Sequence, residues 1–285
     1  MLFLTFLLLW ISIQFGQIIE DSIAYSIVLS IGIIHGANDL SILKKQEENS
    51  RRFRKHVLGY LSLILLCIVS YLVYPFLSIL LFIILSSFHF GEQHLSQKVT
   101  GLKSYKTLVY ILYGLLIFSM LFIVNTQQID LILENLTGTT ISIAWIEGTL
   151  LVSGISIGLL FSYHYFIKKE YKLHLWKEIF YVLLLFLVFK TSSLILGFAV
   201  YFVLWHSIPS ILDQTKYLTG TPSKKTIIGY VKKAMFYWAL SISGLFAAYY
   251  FVDAHYFNSI IFLTLFAVTA PHVWIMYRMN RKANG

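Results

Sequence analysis

The sequence predicts an all-α fold, a polytopic integral membrane helix bundle of about ten spans with both termini cytoplasmic. Three observations carry that reading. Of the 285 residues, 58% are hydrophobic and only 12% charged; the mean hydropathy is +0.76; and 21 of the 22 basic residues gather on one side of the alternating apolar segments. Soluble domains carry roughly a quarter charged residues, so this chain has too few polar groups to cover a surface in water. Soluble enzymes, secreted disulfide scaffolds, disordered proteins and nucleic-acid modules are thereby excluded. The formal net charge of +9 fits basic cytoplasmic loops. The single cysteine, Cys67, lies in an apolar run and rules out an intramolecular disulfide.

A hydrocarbon core of about 30 Å takes roughly 20 apolar residues per helix. Ten such segments run along the chain, at approximately 2–19, 22–43, 57–74, 76–95, 107–125, 148–167, 178–191, 192–212, 235–252 and 258–277. The seventh is short and joins the eighth around Lys190, Thr191 and Ser192. The first starts Met1-Leu2-Phe3 without a basic n-region or a small-residue cleavage site, which reads as a retained span. The longest connections, near 126–147 and 213–234, hold about 20 residues each, so 1–285 reads as a single transmembrane domain. Within the former, Asp130-Leu131-Ile132-Leu133-Glu134 reads as a short amphipathic helix on the outer surface.

The loops set the orientation. Lys44, Lys45, Arg51, Arg52, Arg54 and Lys55 follow the second span, Lys98, Lys103 and Lys106 the fourth, and Lys168, Lys169, Lys172 and Lys177 the sixth. Lys216, Lys224, Lys225, Lys232 and Lys233 occupy 213–234, and Arg278, Arg281 and Lys282 follow the tenth span. The opposite connections carry Glu20, Asp21, Asp130, Glu134, Glu147 and Asp253, with Lys190 the one basic exception. The positive-inside rule then places the basic loops in the cytoplasm, in a multi-pass protein of the inner (plasma) membrane.

A histidine inside a membrane helix is costly and is by default a functional hypothesis. Of the nine, His56, His174 and His255 fall in expected loops and read as solvated or interfacial, and His94 sits at the cytoplasmic rim. The second, fourth, eighth and tenth spans all run inward. From their starts His35 and His89 are 13 residues in, and His206 and His272 are 14. That is roughly 20 Å at 1.5 Å per residue, so four imidazoles from four helices reach one depth. A lone buried histidine is more simply satisfied by a Ser, a Tyr or a carbonyl on a neighbouring helix. Four at one level point instead to a shared metal: imidazole suits iron, copper, zinc or nickel, and bundles assemble such sites from facing helices. His164, 16 residues into the sixth span, is a reserve ligand.

The flanking residues add to this. Asp39 is four residues after His35 and Glu92 three after His89. Each shares a helical face with its histidine, where it either accepts a hydrogen bond from a ligand or pairs with a Lys or Arg at the interface. Gly36 and Ala37 would let a helix or a bulky ligand approach the backbone. Pro209, after Trp205-His206-Ser207, predicts a kink, and Pro271 directly precedes His272.

His35-Gly36-Ala37-x-Asp39 resembles the signature of the Brp/Blh family of membrane β-carotene 15,15′-dioxygenases. His89-Phe90-Gly91, Trp205-His206-Ser207 and Pro271-His272 follow in that family's order, and the resemblance spans essentially the whole chain. It implies cleavage of β-carotene by dioxygen into two molecules of retinal at a ferrous iron, Fe(2+), held by histidines. It also implies a functional link to a retinal-binding rhodopsin. Carried over by position, His35, His89 and His206 become iron ligands. Where the family commonly shows a second histidine, four residues after that of the His-Ser motif, this chain has Ser210. The fourth ligand is then His272, which the depth argument favours independently, or else His164 or water. Phe88, Phe90, Tyr201, Phe202, Trp205 and Trp274 would line a polyene tunnel or serve as ordinary aromatic packing.

Other classes fit less well. A di-iron carotenoid hydroxylase or desaturase needs about eight clustered histidines, and this chain has neither a His-His pair nor an H-x-x-x-H. Two stacked haems would want ligands at two depths. A cation or proton transporter would also use intramembrane His, Asp and Glu, but no inverted repeat or pair of broken helices is evident.

Overall fold

The structure, a computed structural model, describes residues 1–47, 49–98, 105–168 and 174–283. Lys103, Lys169 and Lys172, expected in basic loops, lie outside the described residues, as do the side chains of Lys168 and His255. Among the described residues the regular structure is all helical, with no strand. The helices are α1 (Leu2–Gln14), α2 (Gln17–Gln46), α3 (Ser50–Val73), α4 (Pro75–Leu95), α5 (Lys106–Ile123), α6 (Thr126–Thr137), α7 (Ile143–Phe166), α8 (Leu175–Thr191), α9 (Leu194–Thr219), α10 (Lys224–Phe251) and α11 (Ala254–Ala283). Eight of them, all but α1, α6 and α8, are long and apolar enough to cross a membrane. Of the two other expected spans, α1 is a shorter apolar helix of 13 residues, and α8 is a helix of 17 that carries Lys177, Glu178 and Lys190.

Helices extend past the apolar windows that reveal them. Asn49 caps α3 by accepting from the Arg51 amide at 2.8 Å, so His56, expected in a loop, lies on the second turn of a helix. Ser223 and Thr226 form a capping box at the start of α10, which puts Lys232 and Lys233 in that helix rather than in a connection. Glu20 and Asp21, expected between spans, belong to the first turns of α2. The expected amphipathic segment is longer than its five residues. It is α6, which buries Ile129, Leu133 and Leu136 along one stripe and ends at Gly138, whose φ of 69° lies in the left-handed region.

The chain divides into two compact units. The first comprises Met1–Tyr25, Ile83–Glu134 and Gly138–His206. Its central helix is α5, which is largely buried and packs against α7 and α8. The crossing of α4 and α5 is unusually close: a Cβ at Gly91 would lie 2.0 Å from the Tyr110 carbonyl oxygen, and one at Gly114 would lie 2.1 Å from that of Ser87. Only glycine permits this approach, and it fixes the segment Ser87–Gly91 that carries His89. The α8–α9 break falls at Ser192–Ser193, as expected. There the Ser193 amide donates to Glu20 and its hydroxyl to Asp21, both at 2.6 Å, which sets two carboxylates at the N-terminus of α9.

The second unit comprises Ser26–Phe82, Asn135–Thr137 and Ser207–Gly285. Here α11 packs along α3, and Ile42 and Leu43 meet Ile275, Met276 and Met279 in a buried apolar core. Helix α10 packs against α2 and the C-terminal half of α9. Three residues on from α2's π-helical turn Val28–Gly32 comes His35, and a turn at Ala37–Asn38 then interrupts the helix before Asp39.

The glycine crossing gives a direct test. Overpacking ordinarily costs about 1–3 kcal/mol, and here the added carbon would meet backbone rather than a movable side chain. Gly114→Ala should therefore lower the thermal midpoint of the detergent-solubilised protein by at least several degrees. Gly148→Ala, where nothing lies within 4 Å, should leave it unchanged.

Candidate metal centre

In the second unit, His35 and His272 are buried with their rings edge to face, centroids 4.5 Å apart and Nε2 atoms 3.0 Å apart. Each ring is tied back through its other nitrogen. His35 Nδ1 donates to the Gly32 carbonyl at 3.3 Å, and His272 Nδ1 donates to Asp39 Oδ1 at 2.8 Å. Carbonyl and carboxylate oxygens only accept, so both Nδ1 atoms carry the hydrogen, and when both rings are neutral their Nε2 atoms face each other as acceptors. Two lone pairs at this distance repel unless a positive charge, a shared proton or a metal ion, lies against both.

The spacing itself matches a metal. Two nitrogens each about 2.1 Å from one ion, and at right angles there, lie about 3.0 Å apart. The residues present therefore fit a metal ion bound through imidazole. The bond from Asp39 to a ligand's distal N–H is the usual way such a ring is held and its basicity raised.

Asp39 thus serves His272, not the His35 four residues before it, because the break at Ala37–Asn38 turns it onto α11. Its second oxygen accepts from the Tyr60 hydroxyl at 3.2 Å. The same break exposes the His35 carbonyl to neighbours: Gln214 Nε2 donates to it at 3.1 Å, and the Tyr230 hydroxyl lies 3.0 Å from it and 2.7 Å from Gln214 Oε1. Gln214 also reaches Ser210 Oγ at 3.0 Å, and Asn38 Nδ2 donates to the Tyr230 carbonyl at 3.1 Å. Tyr60, Gln214, Tyr230 and Asn38 were missed from sequence. The signal that could have found Gln214 is a glutamine in an apolar helix one turn after Ser210. A Cβ at Gly36 would meet only His272 Nδ1, at 3.9 Å, so no close approach depends on that glycine.

In the first unit, His89 and His206 are buried with centroids 4.6 Å apart, again edge to face. His206 lies in the π-helical stretch Val200–Ser207, which ends two residues before Pro209 and is the form the expected irregularity takes. Wide turns of this kind recur at functional sites. Phe90 and Phe202 pack on the His206 ring at 4.7 and 5.9 Å. Trp205 is directed elsewhere, donating to Thr5 Oγ1 at 3.1 Å, and Trp274 stacks on His56. Glu92 is buried one turn after His89.

The remaining intramembrane histidines have other company. His164 is buried with Nε2 3.3 Å from the Tyr105 hydroxyl. His94 stacks on Tyr113 and meets Glu178 at 2.6 Å, with Lys98 completing the cluster.

A family model described as beta-carotene 15,15′-dioxygenase matches residues 26–280, most of the chain. The chain belongs to that dioxygenase family. The matched stretch contains all four candidate histidines together with Asp39 and Glu92. No curated protein and no solved structure shows a significant match. For a family dioxygenase with this histidine pair, Asp39→Asn should keep the shape but weaken metal retention about 10- to 100-fold. Metal content after dialysis against graded chelator measures this. Retention equal to wild type would contradict the role given to the carboxylate.

Proposed function

We propose that this chain cleaves β-carotene with dioxygen at the central 15,15′ double bond into two molecules of retinal, at a ferrous iron held by His35, His89, His206 and His272. The family match over residues 26–280 carries the reaction class. Three buried histidines that could hold a metal ion, His35, His89 and His206, support the metal. His272 enters as the fourth ligand through its contact with His35. Iron, when bound, supplies the electron transfer to dioxygen that amino-acid side chains lack.

The chain's own residues do the rest. Neutral imidazoles leave the full positive charge at the centre without placing ligand carboxylates in a low-dielectric interior. Asp39 holds the His272 ring with its Nε2 presented, and Gly32 does the same for His35. Gln214 and Tyr230 hold the His35 backbone. Glu92, buried one turn after His89, is assigned the support of that ring by its place on the same helix. Phe90 and Phe202 give His206 an apolar wall suited to a polyene, a substrate that partitions into the bilayer and reaches such a site without leaving lipid. On this reading α1 and α8 also cross the membrane, for ten spans with both termini cytoplasmic, and the retinal formed would serve a retinal-binding rhodopsin.

Expression in a bacterium that accumulates β-carotene, followed by chromatography for retinal, tests the reaction. Retinal is expected from the wild type and from His174→Ala, none from His35→Ala or His206→Ala, and a reduced but measurable amount from Glu92→Gln. A wild type that leaves the carotenoid intact would overturn the activity, and a fully active His35→Ala the site. Reporter fusions after residues 48, 222 and 285 should report cytoplasm and a fusion after 132 the opposite side; a cytoplasmic signal at 132 would overturn the topology.

A further inference from the structure

Basic residues of the second unit surround a cavity of about 510 Å³ formed by α2, α9 and α10. It is lined by Ser41, Lys44, Lys45, Thr215, Thr226 and Lys233, with no carboxylate among its walls. Lys44 and Lys233 are exposed, and among the described residues neither pairs with an acidic group. Lys45 donates to the carbonyls of Tyr217 and Leu218 at 2.6 and 3.1 Å, which holds its charge at the end of α9.

Thr215 is the telling residue. It is fully buried, and its hydroxyl has no hydrogen-bond partner. A helical threonine ordinarily bonds the carbonyl one turn back, as Thr219 does to Thr215 at 2.8 Å. A buried hydroxyl left unbonded is destabilising, and this one belongs to a residue that lines the same space as Lys44, Lys45 and Lys233. The cavity therefore presents a donor hydroxyl and fixed positive charge to one occupant, the arrangement that a multi-oxygen anion satisfies. Leu218, half-buried near the end of α9, supplies apolar surface within it.

We infer that this cavity binds the phosphate of an anionic lipid headgroup, with Lys44 and Lys233 contributing charge and the Thr215 hydroxyl donating to a phosphate oxygen. Basic recesses between membrane helices are suited to such headgroups. The site is separate from the histidines but shares their scaffold. Tyr230 lines the cavity and also holds the His35 carbonyl, and Gln214 is Thr215's neighbour in the chain. A bound headgroup links the three helices that support His35.

Native mass spectrometry of the full-length protein in uncharged detergent tests this, with phosphatidylglycerol as probe, phosphatidylcholine as the zwitterionic control and inorganic phosphate as the headgroup-free arm. Saturable phosphatidylglycerol binding is expected. Each near-surface lysine is worth about fivefold, so Lys44→Gln/Lys233→Gln should weaken it roughly thirtyfold. Lys45 is left in place because it caps α9. Thr215→Val keeps the shape and removes only the hydroxyl; it should fold with a thermal midpoint at or above that of the wild type yet bind several-fold more weakly. Equal binding by wild type and both variants, or equal binding of the two lipids, would overturn the site. Displacement of the lipid by millimolar phosphate would overturn the headgroup assignment in favour of free phosphate.

Discussion

The Asp39 carboxylate is buried in an apolar helical interior, where an ion without partners would be costly, and it accepts two hydrogen bonds, from the Tyr60 hydroxyl and from His272 Nδ1. The second of these decides the tautomer of His272 and turns its Nε2 to His35. Gly32 decides the tautomer of His35 in the same way. The two Nε2 atoms are thereby held 3.0 Å apart, a distance that a shared proton or a metal ion bridging two imidazoles fits. A metal ion near Asp39 would in turn compensate its charge, so the carboxylate and the ion each make the other's burial less costly.

The helix irregularities serve this geometry. A continuous α2 would satisfy the His35 carbonyl within its own ladder and would set Asp39 on the His35 face. The break at Ala37–Asn38 instead sends Asp39 to α11 and leaves the carbonyl to Gln214 and Tyr230. In the first unit the Gly91 and Gly114 crossing and the wide turns before Pro209 do comparable work for His89 and His206. The fold around each histidine pair depends on departures from regular helix as much as on the helices.

Much of this was legible in the sequence because it rests on composition and local order. Apolar windows and the basic loops revealed a membrane helix protein, and the level of four histidines singled out a candidate site. Helix ends were not legible, since Asn49 and Ser223 extend α3 and α10 into charged stretches that hydropathy reads as loop. Nor were partners distant in the chain: Tyr230 lies 195 positions from His35, and His272 lies 233 from Asp39. Spacing along one helix pointed Asp39 at His35, and only a break in that helix, set by tertiary packing, redirects it.

Buried histidine nitrogens and membership of the beta-carotene 15,15′-dioxygenase family are the two supports of the iron site proposed for this chain. X-ray absorption at the iron edge of the purified, metal-loaded protein tests that claim most directly. The account predicts one iron per chain with a first shell of nitrogen and oxygen at about 2.1 Å and the outer-shell pattern of several imidazoles. A sulfur-containing shell, a spectrum without imidazole scattering, or full cleavage activity in protein free of metal would contradict it.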